Sequence, residues 1–175
     1  MEINKELSQN QTILLIMSST SYNKNIVNIV KKLSGKNIAY VTLNKTHNSL
    51  IELFKKNKIK TEKFVFVDAI SKTIKSVPDQ SEGVYYVSSP GALTELSLVI
   101  SKFLKHDFDY LIFDSLTNLL VYESKAPVAK FVASLVNKIK ESKTKAIFYA
   151  LSVKEQEVLI KESGMFVDKV IDLEK

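Results

Sequence analysis

The residues best equipped for chemistry lie in a polar stretch, Ser18–Asn25 (SSTSYNKN), that follows the apolar run Ile13–Ser18 (ILLIMS). The hydroxyls of Ser18, Ser19, Thr20 and Ser21 are joined there by the amides of Asn23 and Asn25 and the ammonium of Lys24. Backbone N–H groups at a helix start, backed by the helix dipole and a lysine, can hold an anion such as a phosphate. Ser, Thr and Asn are equally good N-caps and loop residues, and this plainer reading explains the stretch taken alone. A second candidate is Asp114, late in the apolar run Tyr110–Leu116 (YLIFDSL). A carboxylate at a strand's end can hold a divalent cation through water, or it can cap the loop that follows. Asp68, near the end of Phe64–Ile70 (FVFVDAI), is placed in the same way.

Several other chemistries lack their residues. The chain has no cysteine, which removes disulfides, thiolate metal sites and a cysteine nucleophile. His47 and His106 are far apart and have no metal-ligand spacing, so no metal site is expected and both suit surface loops or helix ends. All 25 basic residues are lysine. Without a guanidinium fork there is neither an arginine finger nor bidentate reading of guanine. The net charge is +6, but the lysines are mixed with acids, as in Lys55–Lys63 and Lys138–Lys145. Such runs are solvated helix ends and loops, and nucleic acid is not the expected partner. Ser88, Ser89, Asp68 and Ser115 fall near strand ends, yet no Gly-x-Ser-x-Gly elbow or histidine partner makes them a hydrolase.

These candidates must be positioned by short apolar runs that alternate with helical patterns. Strands are predicted at Ile13–Ser18, Ile38–Leu43, Phe64–Ile70, Val84–Ser88, Tyr110–Leu116, Ala146–Leu151 and Lys169–Leu173. Between them, helical spacing predicts Asn25–Leu33, Ser49–Asn57, Leu93–Leu104, Pro127–Ile139 and Lys154–Ser163. Pro90 suits the first turn of the third helix, and Gly35 and Gly164 suit helix ends. Alternation of this kind predicts one α/β domain, a mostly parallel sheet with helices on both faces. The direction of the last strand is left open by periodicity. Ligands of such sheets bind beyond the strands' carboxyl ends, here after Met17, Thr42, Ala69, Asp114 and Leu151. With 175 residues, 45% hydrophobic and 25% charged, the chain suits a single globular domain across residues 1–175. The polar leader Met1–Gln11 is the one stretch expected to lack order. No apolar run approaches the ~20 residues of a membrane span, and the N-terminus has no signal core. The expected setting is the cytoplasm, without a membrane partner.

The strand–loop–helix around Ser18 invites comparison with the phosphate loop G-x-x-x-x-G-K-[ST]. Ser18 and Asn23 fall at its glycines, Lys24 at its lysine and Asn25 at its Mg²⁺-binding hydroxyl. Only the lysine survives. The later segments resemble one branch of such proteins. Phe108–Leu116 (FDYLIFDSL) is similar to the Walker B strand of KaiC-like members of the RecA-type ATPases, and that resemblance makes Asp114 the Walker B aspartate. Val65–Ser71 (VFVDAIS) resembles another of their strands, and Ser88–Lys102 (SSPGALTELSLVISK) resembles the helix before Walker B in archaeal KaiC-like proteins. The resemblance runs from Gln11 to Lys175 and implies a three-layer RecA-like sandwich with a degenerate P-loop. Its vestigial nucleotide site would be Ser18, Ser19, Thr20, Ser21, Asn23, Lys24, Asn25 and Asp114.

One departure bears on catalysis. KaiC-like ATPases carry a pair of glutamates after the second strand, where this chain has Asn44 and Lys45. Asparagine cannot accept a proton from water, and a protonated lysine has the wrong sign for a general base. Phosphoryl transfer also needs Mg²⁺ and γ-phosphate stabilisation. The expectation is therefore a pseudo-ATPase with no catalytic residue, no required cofactor and at most weak ATP or ADP binding. It would act as a regulatory or scaffolding module on a protein partner or in a homo-oligomer. An open Ser18–Asn25 loop arched around an anion would favour nucleotide binding. A loop closed onto Asp114, or plugged by Tyr22, would favour the interaction module.

Overall fold

Runs such as TILLIM, FVFVD and YLIFD are too short for buried helices and become strands covered on both faces. The computed structural model describes all residues, Met1–Lys175. The chain begins with α1 (Ile3–Gln9), β1 (Thr12–Met17), α2 (Tyr22–Lys32), β2 (Ile38–Thr42) and α3 (His47–Lys56). It continues with β3 (Phe64–Asp68), α4 (Ser71–Ile74), β4 (Gln80–Ser81), β5 (Val84–Tyr86) and α5 (Leu93–Phe103). Then come β6 (Tyr110–Asp114), α6 (Leu116–Tyr122), α7 (Lys125–Lys140) and β7 (Lys145–Leu151). A 3-10 turn (Lys154–Gln156) leads into α8 (Glu157–Phe166) and β8 (Lys169–Asp172).

The sheet has eight strands in the order β4-β5-β3-β2-β6-β7-β1-β8. All pairings are parallel except β4 with β5. The α/β sandwich is as the sequence predicts, and the last strand is parallel to β1. Alternate residues of one strand enter opposite cores. Along β7, Ala146, Phe148 and Ala150 join the core under α5, α6, α7 and α8, whereas Ile147 and Tyr149 join the one under α1, α2 and α3. The same alternation puts Asp114 on the face of Ile112, towards α2. Register keeps the carboxyl ends level: Thr42 pairs with both Asp68 and Asp114, and Met17 with Leu151. β6 and β7 lie between β1 and β2, so the chain reverses its direction of travel there and leaves the switch-point crevice where such sheets bind ligands.

Four expectations need correction. The leader is not loose: α1 buries Ile3 and Leu7, a one-turn pair each worth about 1.5–3 kcal/mol of burial. Gly164 does not end a helix, since α8 runs through it to Phe166. A Cβ at Gly164 would come 3.0 Å from Cγ2 of Val170, an exposed side chain of β8. Pro90 sits in a turn closed by Ala92 N–H to Ser89 O, ahead of α5 rather than in its first turn. The predicted helix Lys154–Ser163 is a 3-10 turn followed by α8. β4, α4 and α6 were not anticipated. No helix is long and apolar enough to cross a membrane.

Candidate functional site

The β1–α2 connection is closed by its own side chains. Ser18 Oγ accepts from Ser21 N–H at 3.2 Å and lies 3.0 Å from Thr20 Oγ1 and 2.9 Å from Ser21 Oγ. Asn25 Nδ2 donates to Ser21 Oγ at 3.0 Å. The loop also holds an anion supplied by the chain itself. Glu174 Oε1 accepts from Ser18 N–H at 3.0 Å and from Ser21 Oγ at 2.5 Å. These bonds hold the Glu174 carboxyl below the usual carboxylate range, the Ser21 hydroxyl first and the Ser18 amide second. Ser21, the N-cap of α2, gives the helix no side-chain cap. A carboxylate by the helix start complements the positive end of the dipole. Ser19, Thr20, Asn23 and Lys24 are exposed, and Lys24 makes no ion pair.

Asp114 belongs to a different cluster. Tyr22, the first residue of α2, points its ring inward, and its hydroxyl lies 2.5 Å from Asp114 Oδ2 and 3.0 Å from Asn44 Oδ1. Tyr40 of β2 donates to the same Oδ2 at 2.6 Å, and Asn44 Nδ2 donates to Oδ1 at 3.3 Å. Leu43 N–H donates to the Asp114 carbonyl at 2.6 Å, which ties the β2 end to β6. The Lys45 ammonium sits 5.6 Å from the centre of the Tyr22 ring. The sequence-predicted residues therefore separate into a Ser18–Ser21–Asn25 loop and a buried Asp114. Lys24 joins neither.

Protons can be counted in this cluster. Tyr22 has one to give, yet its oxygen faces acceptors on both Asp114 and Asn44. If Asp114 is ionised, one of these contacts lacks a proton. If Oδ2 is protonated and donates to Tyr22, then Tyr22 donates to Asn44 and Asn44 to Oδ1, and every contact is filled. Turning the Asn44 amide over leaves the same count, because its oxygen would then face Asp114 Oδ1. The surroundings favour that protonated form below about pH 6, and above it the carboxyl is ionised. Burial raises the Asp114 pKa most, the bonds from Tyr22 and Tyr40 and the Lys45 charge pull it back, and the result is about 6. Burial, and then the Asp114 charge, push the phenols of Tyr22 and Tyr40 well above their ordinary value. Tyr149, fully buried on the same face, has a hydroxyl with no partner.

Asp68 is structural. It accepts from Ile70 N–H, Ser71 N–H and His47 N–H, each at 2.8 Å, and from Ser71 Oγ at 2.6 Å, so it anchors the starts of α3 and α4. Ser115 is spent on Thr117 and Asn118, and Ser88 on Glu95. Neither Ser88 nor Ser115 hydrogen-bonds to a histidine. Tyr40 and Glu174 were missed as site residues. The alternation in IAYVT could have placed Tyr40 beside Asp114, but nothing in the sequence announces Glu174.

A KaiC-like protein, PH0186 from the hyperthermophilic archaeon Pyrococcus horikoshii OT3, superposes on 94% of this chain and over 74% of its own length, with a TM-score of 0.69. This is the fold of a KaiC-like RecA domain. Sequence identity to that KaiC-like neighbour is 14%, so the likeness extends to the fold alone. No family model and no curated protein matches the sequence. Within the KaiC-like frame, Asp114 ends β6 beside the switch-point crevice, and Ser18–Ser21 joins the first strand of the sheet to α2.

Proposed function

We propose that this KaiC-like domain does not hydrolyse nucleotide and serves in the cytoplasm as a regulatory or scaffolding module, through contacts with another protein or with its own copies. One observation carries the reading. Asp114, the carboxyl that would hold Mg²⁺ through water, is wholly buried and engaged by Tyr22, Tyr40 and Asn44. A carboxyl whose oxygens are already taken up by these hydrogen bonds is a poor partner for a divalent cation. Asn44 and Lys45 supply no general base beside it. The test is phosphate release from Mg²⁺-ATP by the purified protein. No release above buffer is expected, whereas turnover abolished by Asp114→Ala would refute the reading. Sedimentation and pull-down from native extract that recover only the lone monomer would count against the contact role.

A second reading, anion or nucleotide binding without turnover, is favoured by the seat of Glu174. The Ser18 amide and Ser21 hydroxyl already hold one carboxylate. Calorimetry with ATP, ADP and GTP, with and without Mg²⁺, tests it on the wild type and on Glu174→Ala, which removes the occupant of the seat. No heat from either protein at millimolar ligand ends this reading.

A further inference from the structure

At the amino ends of the strands, opposite the Asp114 edge, a cavity of about 530 Å³ opens between α5, the loop after it and the β3–β5 edge of the sheet. Its volume lies within the ~300–1,000 Å³ range of small-molecule sites. Val65, Tyr85, Phe103 and Phe108 make its apolar wall. Tyr85 meets Phe103 edge-on at 5.2 Å between ring centres, and Phe103 lies 5.5 Å from Phe108, so one continuous aromatic surface lines the space. Gln80 and Gly83 of the edge hairpin close one side.

The charge on the rim is positive and comes from its lysines. Lys102, Lys105 and His106 line the cavity, all three exposed, and no carboxylate is among the lining residues. None of the three takes part in an ion pair. Asp79 and Glu95, the acids that share the adjoining crevice with Lys102, are held by Lys72 and Ser88. Apolar walls under an unpaired cationic rim complement a molecule with an apolar body and an anionic end. The last turn of α5 limits that charge. A helix C-terminus carries the negative end of the dipole, which opposes a dense polyanion such as a triphosphate. The geometry points to a binding site for an amphipathic organic monoanion, a single carboxylate, sulfonate or phosphate on an aromatic or aliphatic body. This site is independent of the Asp114 edge and of the role proposed above.

The probe is 1-anilinonaphthalene-8-sulfonate, followed by amide shifts of the ¹⁵N-labelled full chain. N-phenyl-1-naphthylamine supplies the rings without the charge, and inorganic phosphate the charge without the rings. Saturable shifts centred on Gly83, Tyr85, Phe103 and His106 are expected, with both controls weaker by about tenfold or more. Lys102→Gln with Lys105→Gln should weaken the sulfonate about tenfold and leave the neutral analogue unchanged. Both lysines are exposed and unpaired, so the doubly substituted chain should keep the wild-type melting temperature. Val65→Phe fills the cavity from β3, leaves the cations in place and should abolish the shifts. Shifts that are absent or centred elsewhere, a neutral analogue that binds as tightly, or indifference to the lysine substitutions would each overturn the proposal.

Discussion

Replacing Asp114 by asparagine keeps the shape of the buried group and removes its titration. In the folded chain the carboxyl is pushed up to about 6 from an ordinary value of 3.8. The folded state therefore binds this proton more tightly than the unfolded state does. The associated stability is fully present below about pH 4, is lost as pH rises to about 6, and does not change further above that. At about 1.4 kcal/mol per pKa unit, the gap corresponds to on the order of 3 kcal/mol, most of it between pH 4 and 7. Asp79, Glu95, Asp168 and Glu174 are held below their ordinary values and act in the opposite sense, losing stability as pH falls. The raw pH profile mixes these contributions, but the difference between wild type and Asp114→Asn isolates one. Urea unfolding of both proteins at steps from pH 4 to 7.5 measures it. Relative to Asp114→Asn, the wild type should lose about 2–3 kcal/mol across that interval. A flat difference, or a wild type that gains with pH, would show that Asp114 is an ionised carboxylate, and the proton count in the cluster would be wrong.

Tyr22→Phe should cost about 1–2 kcal/mol in chemical denaturation, because the contacts of its hydroxyl with Asp114 and Asn44 are both lost. Asp68→Asn should cost about 2–4 kcal/mol by the same assay, since an amide group cannot accept at both ends of that cage. Leu7→Ala should cost about 2–4 kcal/mol, a penalty absent if α1 were not docked. Gly164→Ala should raise stability by up to about 1 kcal/mol, because the helix gains a better former and the partly exposed Val170 can turn aside.

The parts legible in the sequence were those written as local pattern. Continuous apolar runs marked β1, β3 and β6, and spacing marked α5 and α7, because a buried strand or helix face depends mainly on its own residues. Asp114 was legible for the same reason, as a charge at the end of an apolar run. Its partners were harder to see. Tyr22 is 92 residues away from Asp114 along the chain, and Tyr40 is 74, so their meeting depends on strand order rather than on local pattern. Glu174 reaches Ser18 only because β8 lies beside β1. α1 did leave a trace, Ile3 and Leu7 one turn apart, which the surrounding polar residues obscured. The two-residue β4, wholly exposed, buries nothing that a hydrophobic pattern could reveal.

β1 lies between β7 and β8, strands that the ribosome makes more than a hundred residues after it. During synthesis the segment TILLIM, without charge, proline or glycine, waits with both hydrogen-bonding edges open until the last part of the domain emerges. Its pairing closes the longest loops in the fold, which slows folding and lengthens its exposure to other nascent chains. The helices made on either side of it, α1 and α2, share a core with Ile13, Leu15 and Met17 and can cover that one face of the strand, but its edges stay open until β7 and β8 arrive.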